Sequence, residues 1–307
     1  MESKVLHQYV NGNVTVTVHE NGTKVREWEG EQHVDYPESC DLKVTQYCDL
    51  DSVCVFCHEM SNKQGKHGDL DLILKIWENQ LPGTELAIGG GNPLAHPDID
   101  QFLHTMSSRG IIPNLTVNSL HMKRHAKQLQ ELQKTKSIYG LGISYRGEKY
   151  LDSLPEDLDY SNTVFHMILG LDAYKDAKAI IDWSKKRKVE PKILLLGYKQ
   201  FGNGVKHYSE DLQKRINRWK AYLALLMQQD GLTLSFDNLA IKQLDLEKFM
   251  TPEEWQLLYQ GPDQTHTFYV DAIEKTVAGT STSSERFSIG PDDTVQTIFN
   301  KVKIDWV

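Results

Sequence analysis

The chain has 307 residues, 39% of them hydrophobic and 25% charged, and a formal net charge of −8 from 34 Lys and Arg against 42 Asp and Glu. That is the balance of a soluble globular protein with room for one large domain or two ordinary ones, and it disfavours a sequence-independent grip on duplex nucleic acid, which needs a basic face to displace counterions. No run approaches the roughly 18–20 apolar residues of a membrane span, and the N-terminal MESKVLHQYVNG lacks the basic-then-apolar order of a signal peptide. The chain is therefore expected in the cytoplasm, where clustered cysteines more often mean metal or catalysis than disulfides.

Residues 1–38 read as a β-meander. QYV, VTVTVH and KVREWE are strand-like and are separated by Asn11-Gly12 and Asn21-Gly22, both tight-turn signals. The alternating polar pattern predicts a small sheet with one face solvated, an appendage to the main body of the chain. From residue 39 to about 240 short β-branched or apolar runs alternate with amphipathic stretches. LKVTQ is followed by a helix over about 70–80, ELAIG by a helix that Asp98 can cap and that Ile99, Phe102, Leu103 and Met106 place on one face. NLTVNS, IYGLGISY, TVFHMILG, KILLLGY and LTLSF continue the rhythm, with helices after each of the first four. At least six β–α units in a row define an α/β fold with a parallel sheet, and the continuous apolar runs predict strands covered on both faces. Periodicity leaves a doubly wound sheet and a full or partial (β/α) barrel both open. Residues 241–307 break the rhythm: a capping box at Thr251–Glu254, a hairpin from FYVDA and KTVAGT, a Ser/Thr-rich stretch and a final helix near 293–302 make an α+β extension.

Three of the four cysteines, Cys48, Cys54 and Cys57, lie in QYCDLDSVCVFCHEMS, spaced C-x5-C-x2-C. The loop follows a strand and precedes a helix, which puts it at the C-terminal edge of the sheet, where parallel α/β proteins build active sites. Three readings are open on spacing alone: a [4Fe–4S] cluster with one iron left for an exogenous ligand, a Cys3His zinc knuckle completed by His58, or buried free thiols. Cys40 lies before the strand, about 17 Å from the loop at roughly 3.3 Å per residue, and is expected to be structural.

The cysteine triplet after the first strand of the repeat, with Phe56 just before the last cysteine, resembles the radical S-adenosylmethionine (SAM) superfamily, whose usual spacing is C-x3-C-x2-C. The next strand ends LAIGGGNPLAHPDI, similar to that family's Gly-Gly-Glu-Pro turn, with Asn92 where Glu is common. The resemblance spans about residues 40–240 and implies a partial (β/α)6 TIM-like barrel. It implies a cluster held by Cys48, Cys54 and Cys57, and a SAM amino group met by the backbone of Gly89, Gly90 and Gly91 with Asn92 accepting a hydrogen bond. It further implies SAM ribose and carboxylate contacts from strand ends, for which Asn118, Ser144 and Arg146 are the candidates, with Phe56 beside the cofactor.

The activity implied is reductive cleavage of SAM to a 5′-deoxyadenosyl radical that takes hydrogen from a small-molecule or peptide substrate, with electrons from a donor such as flavodoxin or ferredoxin. With no cysteine after Cys57, an auxiliary cluster is not expected. Rival readings are a zinc-binding scaffold and a non-catalytic SAM-binding scaffold. On the substrate side His58, Glu59, Lys66, His67, Lys199, Asp237, Asn238, Asp271 and Arg286 are weaker candidates, each equally open to a capping or ion-pair role, and no catalytic residue is assigned. The extension over 241–307 is expected to cover the barrel mouth.

Overall fold

The computed structural model describes residues 4–305; residues 1–3 and 306–307, the outer ends of the first and last predicted segments, lie outside the described residues. Strands β1 (Val5–Asn11), β2 (Val14–His19) and β3 (Lys24–Glu27) form the antiparallel meander that the two Asn-Gly pairs predict. Its buried face carries Val14, Val16 and Val18. The meander is more than an appendage. Arg26 grips the buried Glu38 with Nε and Nη2 at 2.8 and 2.9 Å, and Lys24 lies 3.5 Å from Glu38 and 3.2 Å from Glu85. Burial alone would raise the Glu38 pKa, but the hydrogen bond and charge of Arg26, then Lys24 and His266, hold it below the usual carboxylate range.

Seven strands lie side by side in chain order, every neighbouring pair parallel: β4 (Ser39–Thr45), β5 (Glu85–Gly90), β6 (Ile112–Asn118), β7 (Gly140–Ser144), β8 (Thr163–Ile168), β9 (Lys192–Leu196) and β10 (Thr233–Phe236). A doubly wound sheet would reverse its strand order; this one does not. On the free side of β4 the predicted C-terminal hairpin joins the same sheet. Strand β11 (Thr267–Asp271) pairs with β4 in parallel, and β12 (Thr276–Ala278) and β13 (Phe287–Ser288) follow antiparallel. Leu42, Val44, Leu86, Ile88, Leu115 and Val117 are fully buried on one face and belong to the same core as Ile73, Phe102 and Leu129 on the helices.

Ten helices accompany the sheet among the described residues: α1 (Leu70–Ile76), α2 (Ile99–Ser108), α3 (Ser119–Met122), α4 (Ala126–Lys134), α5 (Tyr174–Lys186), α6 (Asn203–His207), α7 (Glu210–Met227), α8 (Asn238–Leu244), α9 (Pro252–Leu258) and α10 (Val295–Asn300). Three expectations are corrected. Asp98 occupies the N-cap position of α2, but its side chain makes no capping bond there. After β7 the chain forms only a short 3₁₀ turn at Glu148–Tyr150, because Pro155 and a run of Asp and Ser favour turns over helix. The apolar strands are not covered by protein on both faces, since the face opposite the helices lines a cavity.

Candidate active site

The cavity measures about 810 Å³, and the alternating, non-helix-facing residues of the parallel strands form its wall. Strand β4 contributes Asp41 and Lys43, β6 contributes Asn114, Thr116 and Asn118, and β7 and β8 contribute Ser144 and His166. On β6 and β7 period-2 alternation thus puts polar and small side chains inward, while β8 and β9 add the apolar Val164, Ile168, Leu194 and Leu196 to the wall. Asn21, Gly22 and Thr23 of the meander border one end, and the cysteine loop borders the other.

All three loop cysteines line this cavity as free thiols. The loop is fixed by its backbone: Cys54 N–H donates to Leu50 O at 2.8 Å, Cys57 N–H to Cys54 O at 2.9 Å, and Cys48 N–H to Asn62 O at 2.9 Å. Helix α6 closes on it through Asn203 N–H to Cys57 O at 3.3 Å, and Asn118 Nδ2 donates to Cys54 Sγ at 3.6 Å. Burial pushes the Cys48 thiol up to about 11, helped by the neighbouring Cys54 and Cys57. Beside it, Asp49 is clamped by His121 at 2.8 Å and by Arg124 at 2.5 Å.

Among the described residues, the one set of three ligand-type atoms within 4.8 Å of one another is Cys48, Asp49 and His121; the three thiols are not such a set. A tetrahedral zinc ion would hold its thiolates about 3.8 Å apart. As they stand, the three sulfurs do not form such a one-ion set. His58 does not complete a Cys3His set either, because its ring lies 3.4 Å from Glu59 and 3.5 Å from Lys199 Nζ. Asp49 and His121 are already satisfied by each other and by Arg124, so that set needs no ion.

The glycine turn lies directly against the loop. Gly91 N–H donates to Thr45 O and Asn92 N–H to Tyr47 O, both at 2.7 Å. Gly90 has φ +111°, a conformation that disfavours any other residue. A Cβ on Gly91 would sit on the Tyr47 carbonyl oxygen, whereas a Cβ on Gly89 would meet nothing within 4 Å, because Gly89 faces the open cavity. Backbone here is bare towards the cavity, beside the thiols, as a bound ligand would require.

Of the other predicted contacts, Phe56, Asn118, Ser144 and Arg146 all line the cavity. Arg146 stacks 5.2 Å over the Phe56 ring, and its Nε is buried without a hydrogen-bond partner. Asn92 does not reach the cavity. Its side chain is buried behind the turn, with Nδ2 3.3 Å from His125 Nε2 and Oδ1 unpartnered.

The opposite wall is charged. Lys43 bridges Glu59 at 3.0 Å and Asp271 at 3.1 Å. Burial works against its charge, but the two carboxylates outweigh it and raise its pKa. Tyr269 OH lies 3.3 Å from both Glu59 oxygens, and Arg286 stacks 5.1 Å over the Tyr269 ring. Lys199 donates to Ser281 Oγ, and Arg286 to Ser281 O, both at 2.8 Å, so the Ser/Thr-rich stretch is tied to this wall. Burial, then Lys199, lowers the His58 pKa, and burial, then Arg146, pushes His166 down to about 4, leaving both neutral near pH 7.

His58, Glu59, Lys199, Asp271 and Arg286 thus converge. Lys66 and His67 are exposed and line no part of the cavity, Asp237 caps α8, and Asn238 bonds Asp263 at 2.8 Å. Asp41, Lys43, His166 and Tyr269 are wall residues that no sequence motif singles out. The alternation in CDLKVT was the available signal for the first two.

No protein-family model matches the chain, and no curated protein matches it. Among solved structures, it is similar to SuiB of Streptococcus suis. SuiB bound to its precursor peptide SuiA aligns at TM-score 0.59 and 13% identity over 87% of this chain and 65% of that one. SuiB bound to S-adenosylmethionine aligns at TM-score 0.56 and 13% identity over 83% and 64%, and a further SuiB structure at 0.62 and 11% over 97% and 87%. The chain spans just under two thirds of the length of the first two. At these identities the likeness establishes the fold: a mixed α/β architecture with a large parallel sheet, shared with a protein that binds SAM.

Proposed function

We propose that this protein is a radical SAM enzyme. Its cluster would be a [4Fe–4S] centre held by Cys48, Cys54 and Cys57, and it would act on a peptide or small molecule enclosed by a partial (β/α)6 barrel. The observation that carries this reading is the juxtaposition, on one cavity wall, of three free thiols and a glycine turn whose Gly89 leaves the backbone open. The one-way strand order and the cavity on the non-helical face support the barrel. The likeness to SuiB bound to SAM and to a precursor peptide supports the cofactor and a peptide substrate.

When bound, a cluster held by Cys48, Cys54 and Cys57 would supply the electron for reductive cleavage of SAM. The chain's own residues have separate tasks. Asn118 and the Leu50 and Cys54 carbonyls hold the thiols in place. The bare backbone at Gly89 would receive the cofactor's methionine end, and Arg146, stacked over Phe56, would offer its unpartnered Nε to a carboxylate. The Ser281 strap held by Lys199 and Arg286 restricts water over the charged wall. Electrons would come from a partner such as flavodoxin or ferredoxin.

Reconstituted protein reduced with dithionite is expected to convert SAM into 5′-deoxyadenosine and methionine. SAM binding with no cleavage would leave a non-catalytic SAM-binding scaffold instead. Two glycine variants separate fold from site. Gly89→Val is expected to keep its thermal stability and lose SAM binding by about tenfold or more, because the new side chain fills cavity rather than protein. Gly91→Ala must displace the Tyr47 carbonyl and is expected to lower both stability and iron retention. Equal SAM affinity in Gly89→Val and wild type would remove the glycine wall from the cofactor site.

A further inference from the structure

Every charged side chain on the charged wall has a polar partner except one. Glu59 and Asp271 take Lys43. Behind the wall, Asp237 accepts the Gly197 and Ala240 amides at 2.8 and 2.7 Å, and Asp263 accepts Asn238 at 2.8 Å. Lys199 is committed to Ser281 and His58, and Arg286 to the Ser281 carbonyl and the Tyr269 ring. Asp41 stands alone: among the described residues no donor reaches its carboxylate. It sits in the middle of the sheet, between Ala87 of β5 and Tyr269 of β11 in register, and its side chain opens onto the cavity, accessible to solvent there.

The Asp41 carboxylate is met only by cavity water, and a cation that displaces this water can make a charge-assisted hydrogen bond with it. The neighbouring charges leave that pairing open. Burial raises the Asp41 pKa to about 6 and the Asp263, Asp237 and Glu59 charges add to the rise, with Lys199 the cation opposing them. Lys43, two residues along the same strand, is committed to Glu59 and Asp271, and Lys199 to Ser281, so neither nearby lysine is free to pair with Asp41. Space for a cation exists beside it, because Ala87, its register neighbour on β5, presents only a methyl group to the cavity.

We propose that Asp41 is a specificity-determining residue that receives a cationic group of the substrate, the ammonium of a lysine-type or the guanidinium of an arginine-type side chain. The inference rests on the reading of this cavity as the substrate chamber and narrows the substrate class within it. Asp41 forms the floor, with Ala87 beside it, and the cation displaces cavity water to complete the one open pairing on the wall.

The test is saturation-transfer NMR on the reconstituted protein with three probes: acetyl-Gly-Lys-Gly-amide, acetyl-Gly-Arg-Gly-amide and the norleucine peptide acetyl-Gly-Nle-Gly-amide. A cationic probe is expected to bind at least about tenfold tighter than the norleucine peptide, the scale of a hydrogen bond to a charged group. Asp41→Asn is expected to abolish that preference, and Asp41→Ser provides a second neutral variant should Asn disturb folding. Equal binding of norleucine and cationic peptides by the wild type would overturn the proposal whatever the variants do, as would a preference that survives loss of the carboxylate. Measuring 5′-deoxyadenosine from the same samples separates the two readings. Cation preference without SAM cleavage keeps the Asp41 assignment and removes the radical chemistry, and cleavage without cation preference does the reverse.

Discussion

Replacing Cys57 with alanine is expected to strip the reconstituted protein of most of its iron and to lower reductive SAM cleavage by about a thousandfold or more, the scale seen when a group the chemistry depends on is removed. Cys48→Ala and Cys54→Ala should match it, because the three thiols share one cavity wall and none is in a disulfide. Cys40→Ala is the informative contrast. Cys40 is fully buried, burial raises its thiol pKa well above the ordinary value, and it lines no part of the cavity. Its loss is expected to cost some stability and no iron, measured by colorimetric iron assay and urea unfolding. Iron loss in Cys40→Ala equal to that in Cys57→Ala would mean a four-cysteine site, and the open coordination position would disappear with it.

Glu38→Ala is expected to destabilise the fold by about 3–5 kcal/mol, the range for leaving buried charges without their partner. Glu38 is 1% exposed and holds Arg26 and Lys24 of the meander against the start of β4. By contrast Glu20→Ala, which breaks an exposed pair with Lys4, should cost about 1 kcal/mol or less. The pH dependence has a definite sign. The folded-state pKa of Glu38 is depressed, so its contribution is fully present above the unfolded carboxylate value of about 4.3 and fades as pH falls below it. Urea midpoints measured across that acid range should converge for wild type and Glu38→Ala. A constant difference at all pH values would show that Glu38 acts through packing alone.

The grouping of the thiols with the glycine turn was legible in the sequence because its parts are local. Cys48, Cys54 and Cys57 fall in one loop, and Gly89–Gly91 end the very next strand, so strand order alone brings them to one sheet edge. Asn92 shows the limit of that logic. It belongs to the right turn, but its amide bonds the Tyr47 carbonyl and its side chain is buried against His125. The charged wall was legible only as separate candidates such as Glu59, Lys199 and Asp271; their assembly was not, because it depends on β11 pairing beside β4, a contact between distant parts of the chain that no local pattern encodes. Lys43 meets Asp271, and Tyr269 meets Glu59, only through that pairing. The meander's role was hidden for the same reason: Arg26 reads as an exposed strand residue until the fold delivers Glu38 to it.

The central claim is a cluster bound by three protein thiolates with one iron left for SAM. Anaerobically reconstituted protein, reduced with dithionite, should contain about four irons per chain by the stoichiometry of that cluster. Its electron paramagnetic resonance signal should change on addition of SAM. One zinc per chain with no iron, or a cluster spectrum indifferent to SAM, would contradict the account.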